Sequence, residues 1–368
     1  MSNDISQYLK LMADKGASDL FVTVGAPINI KINGETHPVG HDVLDSMSCR
    51  QLIYSLLADD QIKTFEATYE LNIAISYAAL GRFRINVYRQ RGEAAMVVRY
   101  IKSDVPSVAK LGLPDTLERL IMEKMGLILV VGATGSGKST TLASMIDFRN
   151  SNHRGHILTI EDPVEFIHAH KKSLVDQREV GLDTKSYADA LKNAMREAPD
   201  VIVIGEIRDH DTMQHAIHYA ETGHVCLSTL HANNAHQTLE RILNFFPEAS
   251  RKSLLTDLSQ HLKAIIAQRL LPAMDGGRIP AIEILLNSPY ISELIESGRI
   301  TEIHDAMLKS ELSGMKTFDQ SLFELATAGK VQIDDALMNA DSRNNLSLRL
   351  RLESGSDAPS SDHLSLEP

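Results

Sequence analysis

A chain of 368 residues exceeds one typical domain of roughly 100–200 residues, so two are expected. Its 43% hydrophobic and 23% charged residues suit a folded protein. The net charge of -11, with a pI of about 5.7, argues against nucleic acid as the main partner, although a local basic groove would override that average. The two cysteines, Cys49 and Cys226, form no CxxC pair, so neither a zinc module nor a disulfide framework is signalled, and they suit a reducing cytosol. The opening MSNDISQYLK lacks the basic and apolar regions of a secretory signal, and apolar runs such as LILVV are too short to cross a bilayer. A cytoplasmic protein is expected, without direct membrane insertion and peripheral to a membrane only through protein partners.

In chain order, Ile5, Leu9 and Met12 recur at helical spacing. DLFVTVG and INIKING read as short strands, and RQLIYSLLADDQIKTFEA as a helix. LNIAISYAALGRFRINVYRQRG reads as a strand pair and EAAMVVRYI as another strand. Within GRFRINVY, Phe83, Ile85 and Val87 share one face, and Arg82, Arg84 and Asn86 the other. Residues 1–104 are therefore expected to form a small α+β domain. Pro106, Gly112 and Pro114 break up KSDVPSVAKLGLPDT, which predicts a linker at 105–115.

From 116 to 340, LILVV, HILTI, VIVI and VCLSTL are continuous apolar runs, as strands covered on both faces must be. They alternate with the helical patterns SYADALKNAMREA and DTMQHAIHYAETG, for which Ser186 and Asp211 are N-cap candidates and Gly223 a stop. The expectation is an α/β domain with a mostly parallel sheet. In the extension 341–368, Leu346, Leu348, Leu350 and Leu352 alternate with polar residues and predict a strand that adds to a sheet, its own or a partner's. SGSDAPSSDHLSLEP after it is expected to be disordered.

The strongest chemical signal is GATGSGKST, residues 132–140, which fits G-x-x-x-x-G-K-[ST] between a strand and a helix. Gly132, Ala133, Thr134, Gly135, Ser136 and Gly137 would fold backbone amides around phosphates. Lys138 would place a charge on the β- and γ-phosphates, Ser139 an oxygen on Mg²⁺, and the helix starting near Thr140 its positive end on the anion. The bland alternative, a glycine-rich turn, does not explain that context. ATP and Mg²⁺ are the expected ligands.

HILTI runs into Glu161, Asp162 and Glu165, at a strand end where open α/β sheets bind ligands. Glu161, the first after the strand, would polarise the attacking water; an acidic helix-capping turn explains the same residues. VIVI runs into Glu206, the pattern of a carboxylate that holds Mg²⁺, while Asp200 precedes that strand and points elsewhere. Arg208 and Asp209 would form a structural ion pair or reach the site. His231, ending CLSTL, would sense a γ-phosphate, and His224 follows Gly223; packed, hydrogen-bonded histidines explain both as well. Arg84 and Arg99 either donate to a γ-phosphate, which from a neighbouring domain is worth ~10³–10⁵ in rate, or form a solvated face.

GATGSGKST, TIEDPVEF, VDQREV, PDVIVIGEIRD and ETGHVCLSTLHANNA, in that order, resemble the motifs of the secretion ATPases, the superfamily of type II secretion and type IV pilus motors. ASDLFVTVGAPINIKINGE is similar to the start of their PAS-like N-terminal domain. The resemblance implies a RecA-like P-loop core, Glu161 as catalytic glutamate, Glu206 as the Walker B glutamate, His224 and His231 as the His box, and Arg84 and Arg99 as γ-phosphate contacts. It also implies a homohexamer in which each C-terminal domain packs on the next subunit's N-terminal domain.

Two cysteines and a short N-terminus point to the retraction branch, the PilT/PilU family, since assembly and secretion ATPases usually carry an extra domain and a four-cysteine zinc module. Where that branch typically shows AIRNLIRE, this chain has YISELIES at 290–297. Ile291, Leu294 and Ile295 remain, Ser292 and Glu293 replace Arg and Asn, and Glu296 replaces an Arg. The reversed charge and the long tail resemble the accessory paralogue more than the primary motor. The function implied is ATP-driven pilus retraction beside a related ATPase, acting on an inner-membrane platform protein. The rival readings are a regulatory nucleotide-binding ring with little hydrolysis, and a RecA-like DNA translocase, disfavoured by the acidic charge and the lack of a basic–aromatic stripe.

Overall fold

The computed structural model describes residues 5–354 except 33, 78, 79, 102 and 311. The chain divides into two compact units, one of Met1–Asp104 with Val164–Ala169, the other of Val105–Pro163 with His170–Pro368. The first unit runs α1 (Ile5–Lys15), β1 (Asp19–Val22), β2 (Asn29–Ile32), β3 (Glu35–Pro38), α2 (Ser46–Tyr54), α3 (Asp59–Thr68), β4 (Glu70–Tyr77), β5 (Gly81–Gln90) and β6 (Glu93–Ile101). Its six strands form an antiparallel sheet in the order β3-β2-β1-β6-β5-β4. Ile5, Leu9 and Met12 of α1 meet Phe83, Ile85 and Val87 of β5 in one buried cluster.

The single helix expected across 50–67 is two. The chain turns between α2 and α3, and Gln61 Oε1 accepts the Ala58 amide at 3.0 Å to start the second. Asp59 and Asp60 occupy the first turn of α3, where negative charge suits the helix dipole. β3 has four exposed residues, so no apolar alternation announces it.

The second unit runs α4 (Thr116–Ile121), β7 (Gly126–Val131), α5 (Lys138–Asn152), β8 (His156–Glu161), β9 (Leu174–Glu179), α6 (Tyr187–Ala194), β10 (Val201–Ile204), α7 (His210–Glu221), β11 (Val225–Leu230), α8 (Ala235–Phe245), α9 (Glu248–His261), β12 (Leu262–Pro272) and β13 (Arg278–Leu286). It closes with α10 (Pro289–Glu296), α11 (Ile303–Leu308), α12 (Phe318–Thr327), α13 (Ile333–Met338) and α14 (Arg343–Ser354). Its seven strands lie in the order β13-β12-β7-β11-β10-β8-β9, parallel except for β13. This is the α/β core with a mostly parallel sheet that the apolar runs predict, and it suits the RecA-like core that the resemblance implies.

Every residue of β7 is buried because each face has its own core. Leu127, Leu129 and Val131 join one cluster, and Ile128 and Val130 the other. β10 divides in the same way, Ile202 and Ile204 against Val201 and Val203. Within the segment expected as a linker, 105–115, Val108 and Leu113 are buried in the second of these clusters. Ser186 caps α6 as expected, but α7 is capped by Asp209 rather than Asp211, Asp209 Oδ1 accepting the Thr212 amide at 2.9 Å.

The strand expected at 346–352 is a correction: this stretch lies within helix α14. Leu346 and Leu350 are buried at 1% and 9% exposure, whereas Leu348 and Leu352 are 59% and 75% exposed. A two-residue alternation contains an i, i+4 pair, and that pair alone docks. The disordered end expected at 355–368 lies outside the described residues.

The helix makes unequal demands on the four leucines. Leu346→Ala should cost ~2–4 kcal/mol, and Leu348→Ala or Leu352→Ala less than ~0.5 kcal/mol, in denaturant titrations of the full chain. Similar losses at all four positions would restore the strand.

Candidate functional site

β7 ends at Val131, and the loop 132–137 carries the chain into α5. At Gly132 a Cβ would lie 2.5 Å from both Gln268 O and Ser136 Oγ, so only glycine lets the loop close against β12. Lys138 is buried, and its Nζ donates to the carbonyls of Gly132 at 3.0 Å and Ala133 at 2.9 Å. Ser136 Oγ is buried without a hydrogen-bond partner, a donor suited to a phosphate oxygen. Ser139 and Thr140, half-buried, follow in the first turn of α5.

Two cavities flank the loop. One of about 460 Å³ is lined by Gly132, Ala133, His231, Asn233 and residues of α8. The other, of about 340 Å³, lies among Thr134, Ser136, Gln268, Arg269, Arg278 and Asn339.

Glu161 is the last residue of β8. Its Oε1 accepts from Thr159 Oγ1 at 2.6 Å and from Gln177 Nε2 at 3.3 Å. Two residues beyond β10, Glu206 is held from both sides. His231 Nε2 lies 2.9 Å from its Oε1, and Arg208 Nε donates to its Oε2 at 2.7 Å. Arg208 also lies 3.8 Å from Asp162. The hydrogen bond to Glu206 is the main reason that the Arg208 pKa moves up. Arg208 therefore pairs within the site rather than with Asp209, which caps α7. Burial, reinforced by the charge of Asp162, pushes the Tyr187 phenol up as well.

The parallel register brings these groups to one edge. Val131 pairs with Leu230, Ser228 with Ile204, and Ile204 with Ile160, so the loop, His231, Glu206 and Glu161 all leave the C-terminal ends of four adjacent strands. Asp200 sits at the opposite end, accepting the His156 amide at 2.7 Å.

His224 is not brought there. It precedes β11, with its carbonyl accepting the Gly126 amide at 2.9 Å and its Nδ1 3.3 Å from Tyr219 O. The six residues of β11 lie between it and His231, and the seven steps from one histidine to the other span about 23 Å at ~3.3 Å per residue. Arg84 and Arg99 are cross-strand partners in the first unit, and Arg99 Nε donates to the buried Asp19 at 2.8 Å. Glu165 falls in the 164–169 stretch counted with that unit.

Sequence reasoning missed Gln268. It is 3% exposed on β12, and its Oε1 accepts from Thr141 Oγ1 at 2.7 Å behind the loop. A lone glutamine inside the apolar run AIIAQRLL was the available signal.

The type II/IV secretion system protein family matches residues 1–298. The chain belongs to that family. It is 49% identical to the type IV pilus ATPase PilU of Pseudomonas aeruginosa, over 98% of this chain and 94% of that one. To the type IV pilus retraction ATPase PilT of the same organism it is 38% identical, over 90% and 97%. A crystal structure of the pilus retraction motor PilT with bound ADP superimposes with a TM-score of 0.87 at 40% identity, over 94% of this chain and 99% of that one. The chain is a nucleotide-binding ATPase of this pilus retraction family.

Among the described residues, no three His, Cys, Asp or Glu side chains gather into a metal cage. Magnesium beside phosphates needs only one or two protein oxygens and keeps several waters, so a single hydroxyl and a single carboxylate, as at Ser139 and Glu206, suit it.

Gly205 joins β10 to Glu206. A Cβ there would lie 2.9 Å from the Tyr187 hydroxyl and 3.2 Å from Glu161 Cα. Gly205→Ala should therefore cost ~1–3 kcal/mol of stability and lower ATPase turnover by spreading the two carboxylates apart. A variant that melts and turns over like its parent would show that the approach is not constraining.

Proposed function

We propose that this chain is a hexameric ATPase motor that promotes type IV pilus retraction, working alongside a related primary motor on an inner-membrane platform protein. The reading is carried by one observation: the phosphate loop, Glu161, Glu206 and His231 leave the C-terminal ends of four adjacent parallel strands. The similarity to PilU and PilT, named as a pilus ATPase and a pilus retraction ATPase, supplies the biological direction.

In this reading the loop amides and Ser136 Oγ grip phosphate oxygens, and Lys138 exchanges its carbonyl partners for the β- and γ-phosphates. Ser139 and Glu206 would hold Mg²⁺, whose charge offsets the negative charge that develops on the phosphates. Glu161 orients and polarises the attacking water. His231 reports the γ-phosphate to Glu206 through the contact they share. Arg84 and Arg99 contribute positive charge to the γ-phosphate, Arg99 by leaving Asp19. Loss of the γ-phosphate on hydrolysis then moves the first unit against the core, the trigger that GTPase switches use. The acidic segment around Glu293 and Glu296 motivates the accessory role.

Steady-state ATPase assays test the assignments. Lys138→Ala and Glu161→Gln should each lower turnover ~10²-fold or more, and unchanged turnover in both would sink them. Rings mixed from Lys138→Ala and Arg99→Ala subunits should regain activity if Arg99 serves a neighbouring subunit's nucleotide. In cells, pilus retraction should weaken when this gene is deleted beside its paralogue. Retraction insensitive to the deletion in every background would remove the motor assignment.

A further inference from the structure

Glu283 lies midway along β13, opposite Ala267 of β12, and is only 2% exposed. A carboxyl group there is costly, because the strand is otherwise apolar from Ile279 to Leu286. Its Oε1 accepts the Ala235 amide at 2.7 Å, while its Oε2 is buried with no hydrogen bond of ordinary geometry. Burial pushes its pKa from 4.5 up to about 7; the Ala235 amide opposes the rise, the charge of Asp341 adds to it, and the Phe318 amide and Arg269 oppose it. The charges around it are Arg269 of β12 and Asp341 ahead of α14, with Asp319 of α12 engaged by the Asp341 and Ser342 amides.

Ala235 opens α8, so its amide has no partner within the helix. The four residues before it, His231 to Asn234, are the whole connection from β11, and the first of them is the histidine on Glu206. Asn234 caps the helix from its own side by accepting the Gln237 amide at 3.1 Å. That cap alone would start α8, yet it would not tie the loop to the sheet. The bond from β13 does so, across 48 residues of sequence, and it is shorter than the other tie from the sheet, Arg269 Nη2 of β12 donating to the Asn233 carbonyl at 3.4 Å.

We propose that Glu283 is a positioning residue for ATP hydrolysis: by holding the Ala235 amide, it sets His231 against Glu206. The inference rests on the roles given to His231 and Glu206 above. An uncharged amide acceptor would hold the same N–H, but only a carboxylate adds its charge to the positive end of α8. As pH rises through about 7 the group ionises and the grip on the loop tightens. The stability contribution runs the other way. The folded chain keeps a proton that the unfolded chain releases near 4.5, so that contribution is full below 4.5 and is lost as pH rises through about 7.

The test is steady-state ATPase of the full-length protein with Glu283→Ala, Glu283→Gln, His231→Ala and the Glu283→Ala/His231→Ala pair. Glu283→Ala should lower kcat ~10-fold or more while leaving the KM for ATP near the parent's. The paired variant should be no slower than His231→Ala alone. Glu283→Gln should recover most of kcat, and the ratio of parent to Gln rates should climb through a midpoint near pH 7. Losses that multiply in the paired variant would overturn the proposal alone, whereas an inert His231→Ala would overturn the reading of His231 and the proposal with it. If Glu283→Ala does not fold, the Gln variant decides: a rate ratio that is flat with pH overturns the proposal.

Discussion

The backbone of a parallel strand is satisfied only by neighbours on both sides, and β7, β11, β10 and β8 satisfy one another in unbroken register. Everything chemical in the second unit follows from that ladder. Because the strands run the same way, their C-terminal ends share one edge, and each hands the chain to a loop there. The phosphate loop, His231, Glu206 and Glu161 come from four separate stretches of sequence. They are neighbours because the hydrogen bonds beneath them are.

The ladder in turn depends on two cores. Side chains on β7 and β10 alternate between them, so a polar substitution on either face would be buried. Space at the edge is correspondingly tight. Gly132 presses on β12 and Gly205 on the backbone of β8, so the two turns that carry the phosphate loop and Glu206 are shaped by what lies behind them.

Much of this was legible in the sequence. The four apolar runs marked the central strands, and the acidic residues just past them marked the edge. What the sequence hid has physical reasons. Leu346 to Leu352 satisfy a two-residue and a four-residue period equally well, and only docking against the core chooses the helix. β3 buries nothing, so it has no pattern to read. Gln268 and Glu283 are polar residues in the apolar strands β12 and β13, where their partners lie far away in sequence. His224 and His231 share one motif, but six extended residues carry them to opposite ends of the sheet.

That separation has a mechanical meaning. β11 is hydrogen-bonded to β7 on one side and β10 on the other, and all six of its residues are buried. It cannot slip along its axis without breaking both ladders, so it behaves as a stiff rod with an imidazole at each tip. The strand therefore fixes the spacing between His224 and His231, and a force on either ring is shared with β7 and β10 through their ladders.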